Sequence, residues 1–156
     1  MSTTKSGKSK ALQQQAAPPL IGALLRLPHE AVVLRMLATI NTNGFDITLT
    51  ELAVFLYPGP EGQRPIDLAR QCNMTRQAMN YVLAGLENRG YILRQDGSSS
   101  AARVVRMTDR GWEVIAQIRK CVDEIEKEWA AHLGTQRFKA LRETLYDLTL
   151  WLGKLN

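Results

Sequence analysis

Residues 64–111 read RPIDLARQCNMTRQAMNYVLAGLENRGYILRQDGSSSAARVVRMTDRG, and this stretch decides the fold. Pro65, at a first helical position where its missing N–H costs nothing, opens a short helix over Ile66–Gln71, and Asn73-Met74 turns the chain. Thr75 has the side-chain oxygen that an N-cap needs. Behind it Met79, Val82, Leu83 and Leu86 share one helical face, and Gly90 supplies a left-handed stop. These residues spell a helix, a tight turn and a second helix. Tyr91–Arg94 and Arg103–Met107 then read as two short strands separated by small polar residues, which makes a hairpin. Helix-turn-helix followed by a hairpin is the winged-helix arrangement: the second helix enters the major groove of DNA and the hairpin touches the neighbouring backbone or minor groove. The expected fold class is therefore mainly α with a small β-hairpin wing.

On the N-terminal side, Val32, Val33, Met36, Leu37 and Ile40 repeat at helical spacing from a pattern that begins at Leu20 and stops at Asn43-Gly44. Pro28 suits the first turn of a new or kinked helix there. Thr48 or Thr50 can cap a short helix through Leu52 and Phe55, ended by Pro58-Gly59-Pro60-Glu61-Gly62. On the C-terminal side, Ile115, Ile118, Val122, Ile125 and Trp129 step by 3, 4, 3 and 4 along one long helix. Gly134-Thr135 breaks and recaps the chain, and Phe138, Leu141, Leu145, Leu148, Leu152 and Leu155 form a second seam of the same kind. Seams this regular exceed what a small winged-helix core can cover, which predicts burial against another subunit, with Trp129 and Trp151 as anchors. Packing of the two helices within one chain is the alternative.

The chain of 156 residues, 45% hydrophobic and 22% charged, suits one chain-level domain with a packed core. Its net charge of +5 is unevenly placed. Residues 1–19 form a Ser, Lys, Gln and Ala stretch with three Lys and no acid, read as a disordered basic arm. Residues 60–110 carry eight Arg, no Lys and five acids, whereas residues 111–156 balance seven bases against seven acids. An all-arginine excess suits bidentate phosphate or base-edge contacts, with a solvated basic face as the competing reading. Two cysteines, Cys72 and Cys121, are too few for a disulfide scaffold or a four-ligand zinc site; a redox-sensing thiol is the lesser reading. The start lacks the apolar core of a secretion signal, and no apolar run reaches the roughly 20 residues of a membrane span, so a cytoplasmic protein without membrane contact is expected. There is no glycine-rich phosphate loop, no nucleophile elbow and no histidine pair at metal spacing, which weighs against an enzyme, a metal site or a cofactor.

The order of elements and several strings resemble the MarR family of bacterial winged-helix regulators. They are Ile66-Asp67-Leu68-Ala69-Arg70-Gln71-Cys72-Asn73-Met74-Thr75-Arg76-Gln77-Ala78-Met79-Asn80-Tyr81, then Leu86-Glu87-Asn88-Arg89-Gly90-Tyr91-Ile92, and the join Met107-Thr108-Asp109-Arg110-Gly111. The resemblance covers Leu20 to the C-terminus. It implies a DNA-binding lobe over about residues 46–108 and dimerisation helices over about 20–43 and 109–156. It also implies a homodimer, repression as the usual mode, and a small aromatic ligand between the lobes. Here Trp112 and His29 are the candidates to line such a ligand pocket. One departure stands out: where the family usually has an Asp-Arg-Arg run in the wing, this chain has Ser99-Ser100-Ala101.

On the recognition helix Thr75, Arg76, Gln77, Asn80 and Tyr81 are the polar residues of the first turns. Arg pairs with guanine O6 and N7, Gln or Asn with adenine N6 and N7, and Thr75 and Tyr81 suit phosphates. Arg89, farther along, reads as a solvated surface residue. On the hairpin Arg94 and Arg103 are backbone-contact candidates, Arg103 first because it lies nearest the loop; strand alternation prevents Arg94, Arg103 and Arg106 from all facing DNA. The expectation is a dimeric sequence-specific regulator on an inverted-repeat site in double-stranded DNA. Its rivals are a winged-helix module for protein contact and a non-specific architectural DNA binder.

Overall fold

The computed structural model describes residues 19–57, 62–95 and 104–153. Six helices and one hairpin follow one another as α1 (Ile21–Thr42), α2 (Leu49–Phe55), α3 (Pro65–Gln71), α4 (Arg76–Asn88), β1 (Ile92–Gln95), β2 (Val104–Met107), α5 (Asp109–Leu133) and α6 (Thr135–Gly153). The winged-helix order expected from the sequence is thus present. The Lys-bearing residues 1–18, the loop 96–103 with Arg103, and Leu155 at the end of the second seam lie outside the described residues.

Local chemistry accounts for the boundaries. Thr48, rather than Thr50, caps α2 through a reciprocal capping box: its hydroxyl accepts from the Glu51 N–H at 3.3 Å, and the Glu51 carboxylate accepts from the Thr48 N–H at 3.0 Å. Thr75 caps α4 by accepting from the Ala78 N–H at 3.1 Å. At the other end of α4 the Gly90 N–H donates to the Glu87 carbonyl and the Tyr91 N–H to the Leu86 carbonyl, the paired bonds of a Schellman stop. Gly90 adopts φ of 74°, a conformation that glycine adopts without the penalty a side chain would bring. Pro28 lies inside α1, which runs as one helix from Ile21, so of the two readings, a new helix or a kinked one, no new helix starts there. The N-terminal part of α1 around it is exposed.

The hairpin pairs Ile92 with Met107 through Gln95 with Val104, antiparallel. Gln63, just before α3, adds two backbone hydrogen bonds to Val105 at 3.0 and 2.8 Å, stitching the entry of the helix-turn-helix to the wing. In β2 Val105 is buried and Met107 packs on the core, while Arg106 is exposed on the other side.

The core is continuous through both halves of the chain. Ile47, Leu52, Phe55, Leu68, Met79, Leu83, Leu86 and Ile92 form one cluster with the fully buried Tyr91, and the same cluster extends along Val114, Ile115, Ile118, Cys121 and Ile125 of α5 to Met36 and Ile40 of α1. The α5 seam is therefore covered inside the chain, chiefly by α1, with Val122 and Trp129 packed at its edge. This corrects the expectation that it faces another subunit: α1 is long enough to cover it. The α6 seam is different. Phe138 alone is buried, and Leu141, Leu145, Leu148, Leu152 and Trp151 stand exposed, as do Leu20, Ile21, Leu24, Leu25 and Leu27 at the start of α1.

The join from β2 to α5 explains the Thr108-Asp109-Arg110-Gly111 string. The Thr108 hydroxyl accepts from the Gly111 N–H at 3.1 Å and donates toward the Gly90 carbonyl at 2.7 Å, with the Tyr91 carbonyl at 3.0 Å. A Cβ at Gly111 would overlap the Tyr91 carbonyl oxygen, so only glycine lets α5 start this close to the end of α4.

Candidate nucleic-acid interface

The outer face of α4 is built by its own apolar stripe. At about 3.6 residues per turn, Met79, Val82, Leu83 and Leu86 point into the core while Arg76, Gln77, Asn80 and Tyr81 fall within an arc of about 140° on the opposite side. All four are exposed, Tyr81 at 83%. The structure therefore brings Thr75, Arg76, Gln77, Asn80 and Tyr81 together on one surface at the start of α4. Thr75 spends its acceptor capacity on the helix cap, which leaves its O–H free to donate. One guanidinium fork, a hydroxyl, two carboxamides and a phenol on one solvated helix face are the groups that hydrogen-bond base edges and phosphates.

The arginines divide by partner. Arg94 turns inward: its guanidinium meets Glu87 at 2.7 Å and its backbone N–H donates to the same carboxylate at 3.1 Å, tying β1 to α4. That pairing takes it out of the set of free cations the sequence suggests. Arg103 lies outside the described residues, so the preferred hairpin contact has no described geometry.

Arg89 is a correction. Instead of a solvated surface residue it is a junction: it pairs with the buried Glu51 carboxylate and with Asp46, its Nε–H donates to the Gly85 carbonyl at 3.1 Å, and its guanidinium lies 5.7 Å from the Tyr91 ring centroid. Arg110 lies over the same ring at 4.7 Å, and the Tyr91 hydroxyl accepts from the Asp46 N–H at 3.1 Å. The sequence offered no local signal for this, because Glu51 and Asp46 lie 38 and 43 positions away. The network locks the end of α4 to α2 and to the start of α5.

Two further cations escaped the sequence reading. Arg64 grips Asp67 with two bonds of 2.6 and 3.0 Å, and Arg70 approaches the same carboxylate at 3.6 Å, all three on α3 or its cap and both guanidinium groups largely exposed. Arg64 holds the Asp67 carboxyl below the usual carboxylate range, with Arg70 adding to the effect. The available signal was the Arg-x-x-Asp-x-x-Arg spacing, which puts three charges on adjacent turns.

The ligand-pocket candidates lie on different helices. His29 is exposed on the first half of α1 and Trp112 is partly exposed in the first turn of α5. A groove of about 430 Å³ lies elsewhere, along α6 between Thr135, Phe138, Arg142 and Tyr146. Burial pushes the Cys72 thiol up, which disfavours the reactive thiolate, and Cys121 is buried with the Thr39 hydroxyl 3.4 Å from its sulfur. Among the described residues no three His, Cys, Asp or Glu side chains are grouped to hold a metal ion, and no helix is long and apolar enough to cross a membrane.

No protein-family model and no curated protein matches the chain by sequence. Solved structures match it by shape. NadR in complex with 4-hydroxyphenylacetate superposes with a TM-score of 0.69 over 88% of this chain and 100% of its own, at 22% identity. The transcriptional repressor CouR bound to a 23-mer DNA duplex gives 0.63 over 83% of this chain and 92% of its own, at 22% identity. A MarR-family protein of Mycobacterium tuberculosis in complex with salicylic acid gives 0.62 over 85% and 98%, at 25% identity. With a helix-turn-helix of α3 and α4, capped at Thr75, and a two-stranded wing, the chain has the winged-helix fold of the MarR-family transcriptional regulators.

Proposed function

We propose that the protein is a sequence-specific DNA-binding transcriptional regulator that acts as a homodimer, represses at an inverted-repeat operator, and is released by a small aromatic ligand. The observation that carries this reading is the outer face of α4, where Arg76, Gln77, Asn80 and Tyr81 stand exposed and without an ion-pair partner among the described residues. An exposed helix with no target is better filled with Lys and Glu. In the proposed complex Arg76, Gln77 and Asn80 read base edges and Thr75 and Tyr81 hold phosphates. CouR, of the same fold, is bound to DNA in its solved structure, which supports this assignment.

Two-fold pairing is supported by the exposed leucines of α6 and of the start of α1, which form faces too apolar for a lone chain in water. A two-fold dimer sets two recognition helices about one turn of DNA apart, hence the inverted repeat. Ligand release is supported by the aromatic acids bound to NadR and to the mycobacterial protein; His29 and Trp112 are the residues of this chain proposed to meet the ligand.

A gel-shift titration against the DNA flanking the gene, at several salt concentrations and with scrambled competitor, tests the reading. A regulator binds with nanomolar to micromolar Kd, a steep salt slope and resistance to scrambled DNA. Equal competition by scrambled DNA points to an architectural binder, and no binding at all to a protein-contact module. Adding salicylate or 4-hydroxyphenylacetate to the preformed complex tests release. Within the interface, Gln77→Ala relaxes preference at one base pair by about 1–3 kcal/mol, and equal losses on specific and scrambled DNA sink its base-reading role.

A further inference from the structure

We infer that Arg64 and Arg70 form a second phosphate-binding surface beside the recognition helix, and that in the DNA-free protein Asp67 occupies the place of the phosphate. The inference rests on the DNA-binding reading above and adds residues and a regulation to it. Three observations carry it. The three charges lie on α3 and its N-cap, the first helix of the helix-turn-helix, the element that crosses the DNA backbone in this architecture. Arg64 follows Gln63, whose backbone is stitched to Val105 of the wing, so its guanidinium springs from the fixed corner where wing and helix-turn-helix meet. Arg64 presents a two-bond fork to the Asp67 carboxylate, the geometry that also fits two oxygens of a phosphate.

Asp67 is partly shielded while both arginines are largely exposed, so the carboxylate is the inner partner and the cations the outer ones. Approach of a phosphate from outside meets the guanidinium groups first. Exchange of one anion for another leaves each arginine paired, at the cost of an exposed ion pair and with the gain of counterions released from the duplex. Asp67 thereby weakens binding to every DNA sequence alike, leaving discrimination to the outer face of α4.

The test uses the full chain with two duplexes, the DNA flanking the gene and a scrambled duplex of the same length, across a series of salt concentrations. Asp67→Asn is expected to tighten binding to both duplexes by about two- to fivefold, the scale of an exposed ion pair given up. Arg64→Gln and Arg70→Gln are each expected to weaken binding to both and to reduce the salt slope by about 0.9, one phosphate contact each. The gain from Asp67→Asn should disappear when Arg64→Gln is also present. If that gain is the same with and without Arg64, Asp67 acts only as a distant charge and the inference fails. It fails also if neither arginine substitution changes the salt slope. Thermal melting of each variant separates loss of fold from loss of contact, and Arg70→Gln, far out on the surface, serves if Arg64→Gln melts early. Wild-type protein that binds neither duplex at any salt concentration overturns the DNA-binding reading itself, and this inference with it.

Discussion

The helices α5 and α6 carry the same heptad spacing and meet opposite fates. Ile115, Ile118 and Ile125 of α5 are 3%, 7% and 3% exposed, whereas Leu141, Leu145, Leu148 and Leu152 of α6 are 40%, 37%, 38% and 47% exposed. The first seam is covered by α1 of the same chain, and the second, beyond the buried Phe138, has no cover among the described residues. A hydrophobic period thus states that a face needs covering and says nothing of what covers it. The partner is set by tertiary arrangement: α1 runs past α5, fastened to it by Arg35 and Glu128 at 2.7 Å, and leaves α6 free along most of its length.

That contrast breaks or sharpens under mutation. Ile118→Ala should lower the unfolding free energy by about 2–5 kcal/mol, because a packed core site loses both transfer energy and filling. The loss should be the same at every protein concentration, as read by urea denaturation. A loss that grows on dilution would mean that α5 also serves the pairing of chains. Leu145→Glu should leave each chain folded by circular dichroism yet shift it to a monomer in analytical ultracentrifugation. On the proposed reading of a dimer at an inverted repeat, DNA affinity should then fall by about a hundredfold or more, because two linked copies of α4 become one. A Leu145→Glu protein that stays dimeric places the pairing surface elsewhere.

A smaller effect is expected at the junction between the lobes. Arg89→Ala should cost about 1–3 kcal/mol, because it leaves the buried Glu51 carboxylate without its cation. Arg89→Ala with Glu51→Gln should recover part of that loss; no recovery would mean that the pair is not the source of the stability. The smallest effect concerns acid. Arg35 holds the Glu128 carboxyl below the usual glutamate range. Since its folded pKa is depressed, its contribution is fully present above the unfolded pKa and is lost as pH falls through the folded one. Melting temperatures of the wild type and Glu128→Gln should therefore differ by a small constant amount at neutral pH and converge in that acidic window. A difference that persists at the lowest pH would assign the effect to packing.

The readable parts of this fold were those decided within a few residues. Thr75 and Gly90 announce helix ends because caps are local hydrogen bonds, and the α4 stripe announces which side faces out because its period is fixed by the helix. The residues 66–81 and 86–92 that resemble the MarR family fall on α3, α4 and the start of β1, and that fold is the one observed. What escaped was decided at a distance. Arg89 looked like a surface residue because its carboxylate partner sits across the turn after α1, and Arg94 looked free because Glu87 comes into reach only once the chain reverses at Gly90. The coverage of α5 depends on a helix about eighty residues earlier, and no spacing rule within α5 reports it.

The join at Tyr91 gives the molecule a mechanical property. Tyr91 closes the stop of α4 with its N–H, accepts from the Thr108 N–H at 3.1 Å with its carbonyl, and leaves Gly111 no room for a side chain, so one residue couples α4 to the head of α5. From that joint α5 extends as a rod of 25 residues, about 37 Å at 1.5 Å per residue, so that a rotation of about 5° at the joint carries its far end through about 3 Å. Run in reverse, a displacement of about 3 Å where α5 meets α6 corresponds to a rotation of about 5° at the joint that also holds the end of α4.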